Sequence, residues 1–181
     1  MGRIISNFFM SLDGVVESPD QWHFPYFDDE MGAIIGQGAE TTDAFLMGRV
    51  LYGEWSEFWP QQGDDVPFAA LFNNMPKYVV SQTLTEASWN NTTVVSGDVE
   101  SKLRQLKADT PRDITISGSA TLVRSLLVAG LVDELALLVH PIAVGKGRRL
   151  FEDAPTIPLK LTSSQTLGSG VLHLTYAPAD Q

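Results

Sequence analysis

The sequence has no cysteine, and histidine occurs only three times in its 181 residues. Without thiols the chain can form neither a disulfide, nor a thiolate nucleophile, nor a zinc–thiolate site. The histidines, His23, His140 and His173, lie far apart, and no set of His, Asp and Glu has the spacing of metal ligands, so no metal site is predicted. A chain without disulfides is compatible with a reducing compartment, and we expect a cytoplasmic protein.

Positive charge is also scarce. Twelve Lys and Arg face 22 Asp and Glu, which gives a formal net charge of −10. That balance argues against a nucleic acid or an anionic membrane as the main partner, although an anionic small molecule fits wherever positive groups are concentrated. No apolar run approaches the length of a membrane span. Polar residues interrupt the stretch Ile4–Val16, so we interpret it as a first strand and not as a signal peptide.

The length and composition fit one domain over residues 1–181. Eight segments rich in β-branched and aromatic residues, bounded by Gly, Pro, Asn or Asp, predict strands at Ile4–Phe9, Ala44–Met47, Lys77–Ser81, Thr92–Val95, Ile114–Ser117, Glu134–His140, Leu159–Thr166 and Val171–Tyr176. Apolar residues at helical spacing predict helices at Phe27–Gln37, Val99–Lys107 and Thr121–Leu131. The alternation predicts an α/β fold with a mostly parallel sheet and a C-terminal antiparallel hairpin.

Ligands of open α/β sheets usually bind at the carboxyl ends of the strands. Three such ends carry groups suited to phosphate: Gly48-Arg49, Ser81-Gln82-Thr83, and Ser117-Gly118-Ser119-Ala120 at the start of a helix. Each group alone is equally compatible with an ordinary turn, and their coincidence at one edge favours a binding site. The glycines of Gly36–Thr41 approach a dinucleotide-binding motif but follow a helix, so we interpret them as a helix end and turn.

These motifs together resemble a known family. The chain is similar to the dihydrofolate-reductase-like superfamily, above all to the reductase domain of bacterial riboflavin biosynthesis and its single-domain relatives. The resemblance covers nearly the whole length and is carried by Ser11-Leu12-Asp13-Gly14, Met47-Gly48-Arg49, Val79–Leu84, Ser117–Leu122, Gly130–Leu135, Pro141, Gly145-Lys146-Gly147 and Leu150-Phe151. It implies helices on both faces of the sheet and a reductase that uses NADPH on a pteridine- or pyrimidine-like substrate, similar to 5-amino-6-(5-phosphoribosylamino)uracil reductase.

The resemblance also assigns cofactor contacts. It places Gly48 and Arg49 near the adenosine phosphate end and Ser81, Gln82 and Thr83 near the 2′-phosphate and ribose. It places the small residues Gly118, Ser119, Ala120 and Thr121 against the pyrophosphate. Two positions depart from the family pattern: Leu51 stands where dihydrofolate reductases often have Thr, and Gln82 stands where many relatives have Arg. The second departure weakens the prediction of NADPH over NADH.

Dihydrofolate reductases carry a proton-supporting carboxylate in a Trp-x-x-Pro-x-Asp pattern. This chain has Trp22-His23-Phe24-Pro25-Tyr26-Phe27-Asp28, in which the carboxylate comes one residue late. Asp28 is therefore the first catalytic candidate and Asp29 the second, with a favourable charge at a helix N-terminus as the alternative for both. The candidates for substrate contact are Asp13, Trp22 and His23, against a turn role for the aspartate and a structural role for the histidine.

Three further features have two interpretations each. Trp55, Phe58 and Trp59 either cover a flat heteroaromatic substrate or pack in a core or subunit interface. The basic run of Lys146, Arg148 and Arg149 either meets a substrate phosphate or is solvated. Leu135–Val139 is apolar enough for a central strand or for an interface, and a homodimer is expected because the riboflavin reductases are often dimeric. The competing functions are a true dihydrofolate reductase and a catalytically silent nucleotide-binding protein.

Overall fold

The fold is built on an eight-stranded sheet, seen in a computed structural model that describes residues 1–63 and 65–179. The spatial strand order is β4-β3-β2-β5-β1-β6-β8-β7. The first six strands along the chain pair in parallel, and β8 adds to β6 in antiparallel fashion before pairing with β7. The strands are β1 Ile4–Ser11, β2 Thr42–Gly48, β3 Lys77–Val80, β4 Thr92–Val95, β5 Asp113–Ser117, β6 Glu134–His140, β7 Leu159–Thr166 and β8 Leu172–Pro178. The predicted mostly parallel sheet with a terminal antiparallel hairpin is confirmed.

Helices cover both faces of the sheet, as predicted. They are α1 Asp29–Thr41, α2 Arg49–Phe58, α3 Ala69–Asn74, α4 Val99–Asp109 and α5 Ala120–Val128. Side chains alternate along a strand, so Ala44 and Leu46 of β2 pack in the core with α4 and α5. Phe45 and Met47 point to the other face and pack with Tyr52 of α2. Helix α1 covers the same second face, where Met31 packs against Leu138 of β6.

The sequence placed some boundaries incorrectly. Helix α1 was expected over Phe27–Gln37 but runs from Asp29 to Thr41, so Gly36–Thr41 continues the helix where an end and turn were predicted. Apolar contacts of Ile34 and Ile35 hold α1 to the sheet, and packing of this kind outweighs the low helix propensity of glycine. Helix α5 ends at Val128, three residues before the predicted Leu131, with Gly130 at φ 64° in the turn that follows.

Strand β6 settles the two interpretations of the apolar run Leu135–Val139. It lies between β1 and β8, which pair with it on either side, so the run is an interior strand. Its residues are consequently buried within one chain. Among the described residues, no helix is long and apolar enough to span a membrane.

Candidate active site

Two cavities meet at the middle of β1 and the carboxyl end of β5. The larger has a volume of about 790 Å³ and the smaller about 430 Å³, both in the range of roughly 300–1,000 Å³ that is usual for small-molecule sites. They share five wall residues, namely Asn7, Phe8, Phe9, Trp55 and Ser117. Asn7 of β1 and Ser117 of β5 are directly paired across the two parallel strands. A molecule in one cavity would therefore contact a molecule in the other at these two residues.

The larger cavity, here called the nucleotide cavity, lies at the starts of two helices. Its wall includes Arg49–Leu51 in the first turn of α2 and Ala120–Leu122 in the first turn of α5. The first backbone N–H groups of a helix have no acceptor within that helix and carry a partial positive charge. Both sets of amides consequently give this cavity the character of an anion site.

The capping of the four longer helices supports this assignment. Helix α1 is capped by the side chain of Asp28 and α4 by that of Asp98, and both carry carboxylates in the first turn. Within the described residues, α2 and α5 have neither a capping side chain nor an acidic residue in the first turn. Of these four helices, the two that begin at the nucleotide cavity are thus the two whose first-turn amides have no capping side chain or acidic neighbour among the described residues.

The turn before α5 brings the backbone close to the cavity. Gly118 has φ 78° and Ser119 has φ 57°, so two successive residues adopt the left-handed conformation. A side chain at Gly118 would be strained there, which explains the glycine. The Ser119 hydroxyl accepts a hydrogen bond from the Gly48 amide at 3.0 Å and ties the starts of α2 and α5 together. The sequence therefore places a small pair here to hold two helix N-termini on one cavity.

Charged side chains of both signs line the nucleotide cavity. The positive ones are Arg49 and Arg148, and the negative ones are Glu17, Asp20 and Glu54. Arg49 is exposed, and its guanidinium has no hydrogen bond or ion pair among the residues that the structure describes. Glu17 is engaged, because its carboxylate accepts the Arg148 amide at 2.9 Å. Arg49 thus stands at the start of α2, while the Glu17 carboxylate is used in a contact with the loop that carries Arg148.

The smaller cavity, here called the apolar cavity, lies between α1, the sheet and an aromatic cluster. Trp55, Trp59 and Phe72 form that cluster, with ring centroids 4.6–6.0 Å apart. The Lys77 ammonium donates to the Phe72 and Met75 carbonyl oxygens, both at 2.8 Å, and so holds the end of α3 against the cavity. Trp55 and Trp59 of the predicted aromatic cluster therefore line a ligand-sized space, whereas Phe58, its third member, is exposed and belongs to neither described wall.

His23 stands on the wall of the apolar cavity, as the prediction of a substrate contact requires. Its ring stacks on Phe9 at 4.5 Å and lies 6.0 Å from His140. Burial, together with the neighbouring His140, holds the pKa of His23 below its ordinary value of 6.5. The imidazole is therefore neutral at pH 7.

The predicted cofactor residues separate into two groups. Gly48, Arg49 and the segment Gly118–Thr121 line the nucleotide cavity, and their contact with a cofactor stays a prediction. Ser81, Gln82 and Thr83 are absent from the described wall of either cavity. The Ser81 hydroxyl accepts from the Leu84 amide at 2.9 Å, and the Gln82 amide group exchanges hydrogen bonds with the Gly97 backbone. Within the chain these three residues stabilise a turn, and their contact with a nucleotide stays a prediction.

The two catalytic candidates lie outside both described cavity walls. Asp28 caps α1, with its carboxylate accepting from the Met31 amide at 2.8 Å and the Ser169 amide at 3.2 Å. These hydrogen bonds, first that from Met31, lower the pKa of Asp28 from its usual 3.8. Asp29 is exposed in the first turn. The structure thus gives both carboxylates the helix N-terminal role that was the alternative, and their part in proton transfer stays a prediction.

Asp13 and Trp22 also have structural partners. The Asp13 carboxylate accepts from the Ser11 hydroxyl at 2.6 Å and from the Val144 and Gly145 amides at 3.0 and 2.8 Å. These bonds, led by that from Ser11, lower the pKa of Asp13 to about 2. The buried Trp22 ring donates to the Glu17 carbonyl oxygen at 3.2 Å. Neither residue belongs to a described cavity wall, so a substrate contact for them stays a prediction.

Sequence reasoning missed Asn7 at the junction and considered Ser117 only as part of a phosphate-binding turn. Asn7 is a polar residue inside an apolar strand, and Ser117 is the last residue of β5. The unusual asparagine was the available signal, but only strand pairing shows that it meets Ser117. No group of three His, Cys, Asp or Glu side chains able to hold a metal ion occurs within the described ranges.

Known proteins are similar to this chain in sequence and in fold. Uncharacterized protein YyaP of Bacillus subtilis is 30% identical over 179 residues, covering 96% of this chain and 94% of that protein. A putative riboflavin biosynthesis protein from Shewanella sp. PV-4 superposes with a TM-score of 0.75 at 22% identity, covering 98% and 99% of the two chains. Dihydrofolate reductase from Enterococcus faecalis, complexed with NADP(H), superposes with a TM-score of 0.64 at 12% identity, covering 98% and 97%.

At these identities the two solved structures establish the fold alone, which is that of dihydrofolate reductase. The family is shown by sequence, because residues 3–173 match the model of the RibD C-terminal domain. The chain therefore belongs to the RibD C-terminal domain family.

Proposed function

We propose that the protein is an NADPH-dependent reductase that transfers a hydride to a small heterocyclic compound. The observation that carries this proposal is the pair of uncapped helix N-termini, α2 and α5, on a cavity that adjoins a second, apolar one. Reductases of the same fold support it, among them the dihydrofolate reductase complexed with NADP(H).

The residues of the nucleotide cavity fit a dinucleotide. Amides in the first turn of α5 suit a diphosphate, and the left-handed Gly118 lets the ligand approach the backbone without a Cβ in the way. Arg49 is exposed on the same wall and has no described partner, so its guanidinium is available to a phosphate oxygen. The volume of about 790 Å³ accommodates a ligand of that class.

The reacting end lies where the cavities meet. A bound reduced nicotinamide supplies a hydride, and the chain's part is to position the acceptor and exclude water. Asn7 and Ser117 offer an amide and a hydroxyl at the junction, while Phe9 and Trp55 provide flat apolar surface beside them. This arrangement needs no nucleophile from the protein, consistent with the absence of cysteine.

Dihydrofolate reductase activity is the weaker candidate. Its proton step depends on a carboxylate in the substrate site, and the described wall of the apolar cavity contains none. Asp28, which the sequence offered for that role, caps α1.

Binding and turnover are tested separately. Titration calorimetry with NADPH and NADH measures whether the nucleotide cavity binds and which cofactor it prefers, and we expect NADPH to bind more tightly. Oxidation of NADPH, followed at 340 nm against a panel of pteridines, pyrimidines and unphosphorylated bicyclic heterocycles, then measures turnover. Binding without turnover on the whole panel would favour the silent nucleotide-binding protein, and no binding of either cofactor would refute the proposal.

We further propose that the protein forms a homodimer. Strand β7 is an edge of the sheet and is mostly exposed, with Leu161 half exposed on it and Leu172 partly exposed on the adjoining β8. An open edge strand with apolar side chains is a ready surface for pairing with another chain. Sedimentation velocity at micromolar concentration tests this, and a single species near the monomer mass of 19.8 kDa would contradict it.

A further inference from the structure

Charge is divided unequally between the two cavities. Arginines and carboxylates line the nucleotide cavity, whereas the apolar cavity has no Lys, Arg, Asp or Glu on the part of its wall that the structure describes. The basic residues that the sequence offered to a substrate phosphate, Lys146, Arg148 and Arg149, do not lie on the described wall of the apolar cavity. Arg148 lines the nucleotide cavity, and Arg149 donates to the Asp13 carbonyl oxygen at 3.0 Å.

The polar groups on the apolar cavity wall are neutral, and some are already satisfied. The Thr42 and Thr115 hydroxyls lie 2.6 Å apart, and Thr42 also donates to the Gly38 carbonyl oxygen at 2.7 Å. Burial lowers the pKa of His23 and of His173 from 6.5, so both imidazoles are uncharged at pH 7. Asn7 and Ser117 at the junction, together with the neutral imidazoles of His23 and His173, then remain as the polar contacts for a ligand.

The helix backbone adds to the difference in charge between the two cavities. Gly38 and Ala39, in the last turn of α1, lie on the wall of the apolar cavity, whereas the nucleotide cavity faces the first turns of α2 and α5. The C-terminal end of a helix carries a partial negative charge, which repels anions. Moving a phosphate from water to such a wall loses its hydration with no cation or cluster of amides to replace it.

From this distribution we infer that the apolar cavity selects an uncharged, largely aromatic, unphosphorylated molecule as the hydride acceptor. The inference rests on the proposed reductase function and names the substrate class of the same site. The rings of the acceptor pack against Trp55, Trp59 and Phe72, and its polar atoms meet Asn7 and Ser117. A ribosyl phosphate, as in the riboflavin-pathway substrate, is disfavoured because no described group in this cavity neutralises it.

The reaction on such a molecule balances without further reagents. The hydride, with its two electrons, leaves the reduced nicotinamide and forms a C–H bond at the carbon of a ring C=N or conjugated C=C bond. The π electrons of that bond move to the neighbouring atom, which takes one proton from water. The acceptor is reduced by two electrons and the nicotinamide is oxidised by two.

A matched pair of ligands tests the selectivity. 1-Naphthol and 1-naphthyl phosphate share one ring system and differ by a phosphate, and titration calorimetry at pH 7.5 measures both. Saturating NADPH blocks the nucleotide cavity, so that the phosphate compound cannot bind there. We expect naphthol to bind at least about tenfold more tightly than naphthyl phosphate, because the phosphate must be desolvated without compensation. Equal or tighter binding of naphthyl phosphate would overturn the inference.

Two glycines of α1 provide a variant and its control. Gly38 lines the apolar cavity and Gly36 does not belong to its described wall, and a Cβ at either position meets no atom within 4 Å. Leucine improves helix propensity at both sites, so neither replacement threatens folding. Gly38→Leu should weaken naphthol binding about fivefold or more by filling the cavity, a loss of roughly 1 kcal/mol. Gly36→Leu should leave it unchanged.

The outcomes separate the two proposals. Unaltered naphthol affinity in Gly38→Leu would show that naphthol binds elsewhere and would overturn the inference. Both leucine variants should bind NADPH as the wild type does, because neither position belongs to the described wall of the nucleotide cavity. A wild-type protein that fails to bind NADPH refutes the reductase function, while the naphthol affinities of the wild type, Gly38→Leu and Gly36→Leu, measured without cofactor, still report on the apolar cavity.

Discussion

The nucleotide cavity and the apolar cavity share five wall residues yet are built from opposite ends of helices. The first is bounded by the starts of α2 and α5, with Arg49 beside them, and the second by the last turn of α1 and a set of aromatic rings. A parallel sheet with helices on both faces produces both environments within a few residues of Asn7 and Ser117. The difference shows how one fold places a wall suited to an anion beside a wall without charged side chains.

The largest change in NADPH affinity is expected from a negative charge introduced into the nucleotide cavity. Gly118→Asp places a carboxylate where a diphosphate is expected and forces a side chain onto φ 78°. Like charges brought together in a binding site cost several kcal/mol, so NADPH affinity should fall about 100-fold, as calorimetry would measure.

Gly130→Asp is the matched control for that variant. Gly130 has φ 64° beyond the other end of α5, and a Cβ there meets no atom within 4 Å. Both variants carry the cost of a left-handed side chain, but only Gly118→Asp faces the nucleotide cavity. Equal NADPH affinities of the two would show that the diphosphate does not lie at the start of α5.

Removing the available guanidinium should have a smaller effect. Arg49→Ala deletes one charge-assisted contact to phosphate and should weaken NADPH binding about tenfold, with a reduced dependence of the dissociation constant on sodium chloride. Arg104→Ala removes the same charge from exposed α4, where Arg104 donates to the Ala129 carbonyl oxygen, and should leave NADPH affinity near the wild-type value. Similar salt dependence in all three proteins would exclude Arg49 from the cofactor site.

A variant of Asp13 tests whether this residue stabilises the fold or contacts the substrate. Asp13→Asn should lower the urea midpoint, because the folded state holds the charged carboxylate with three hydrogen bonds. A carboxyl pKa lowered from 3.8 to about 2 contributes stability above pH 3.8 that is lost as pH falls towards 2, so the difference from wild type should shrink over that window. Asp109→Asn, at the exposed end of α4, is the matched control and should leave the urea midpoint at pH 7 near the wild-type value.

The same variant also checks the substrate prediction. Asp13 lies outside the described walls of both cavities, so naphthol affinity should be unchanged in Asp13→Asn within about twofold, or about 0.4 kcal/mol. A larger loss of naphthol affinity would show that Asp13 contributes to substrate binding.

The smallest effect is expected at Asp28. Asparagine keeps an acceptor for the Met31 amide but loses the second oxygen that accepts from the Ser169 amide. Asp28→Asn should therefore retain most of the thermal stability and the full single-turnover rate of hydride transfer. Asp28→Ala should lower the melting temperature by removing the acceptor for the Met31 amide. If Asp28→Asn instead slows hydride transfer at unchanged stability, the carboxylate is catalytic and the sequence-based hypothesis is correct.

Local patterns predicted the nucleotide cavity better than the apolar one. Gly48-Arg49 and Gly118-Ser119 each join a strand to a helix, and ligands of open α/β sheets usually bind outside such strand ends. The Ser81 segment has equally suitable hydroxyls, but it follows β3, which is separated from β5 by β2 in the sheet. After Val80 the chain forms a turn in which the Ser81 hydroxyl accepts from the Leu84 amide. The spatial order of the strands decides which loops lie together, and the sequence of a single loop does not determine that order.

The sequence by itself determined the alternation of strands and helices, the family and the two glycine-containing turns, because these depend on neighbours along the chain. Tertiary structure alone decided that Asn7 meets Ser117, that Trp55 and Phe72 enclose a cavity, and that the carboxylates of Asp13 and Asp28 are used in loop and helix contacts. Those facts require residues distant in sequence to be packed together, and the packing of a sheet against its helices is set by the sum of contacts and not by any segment.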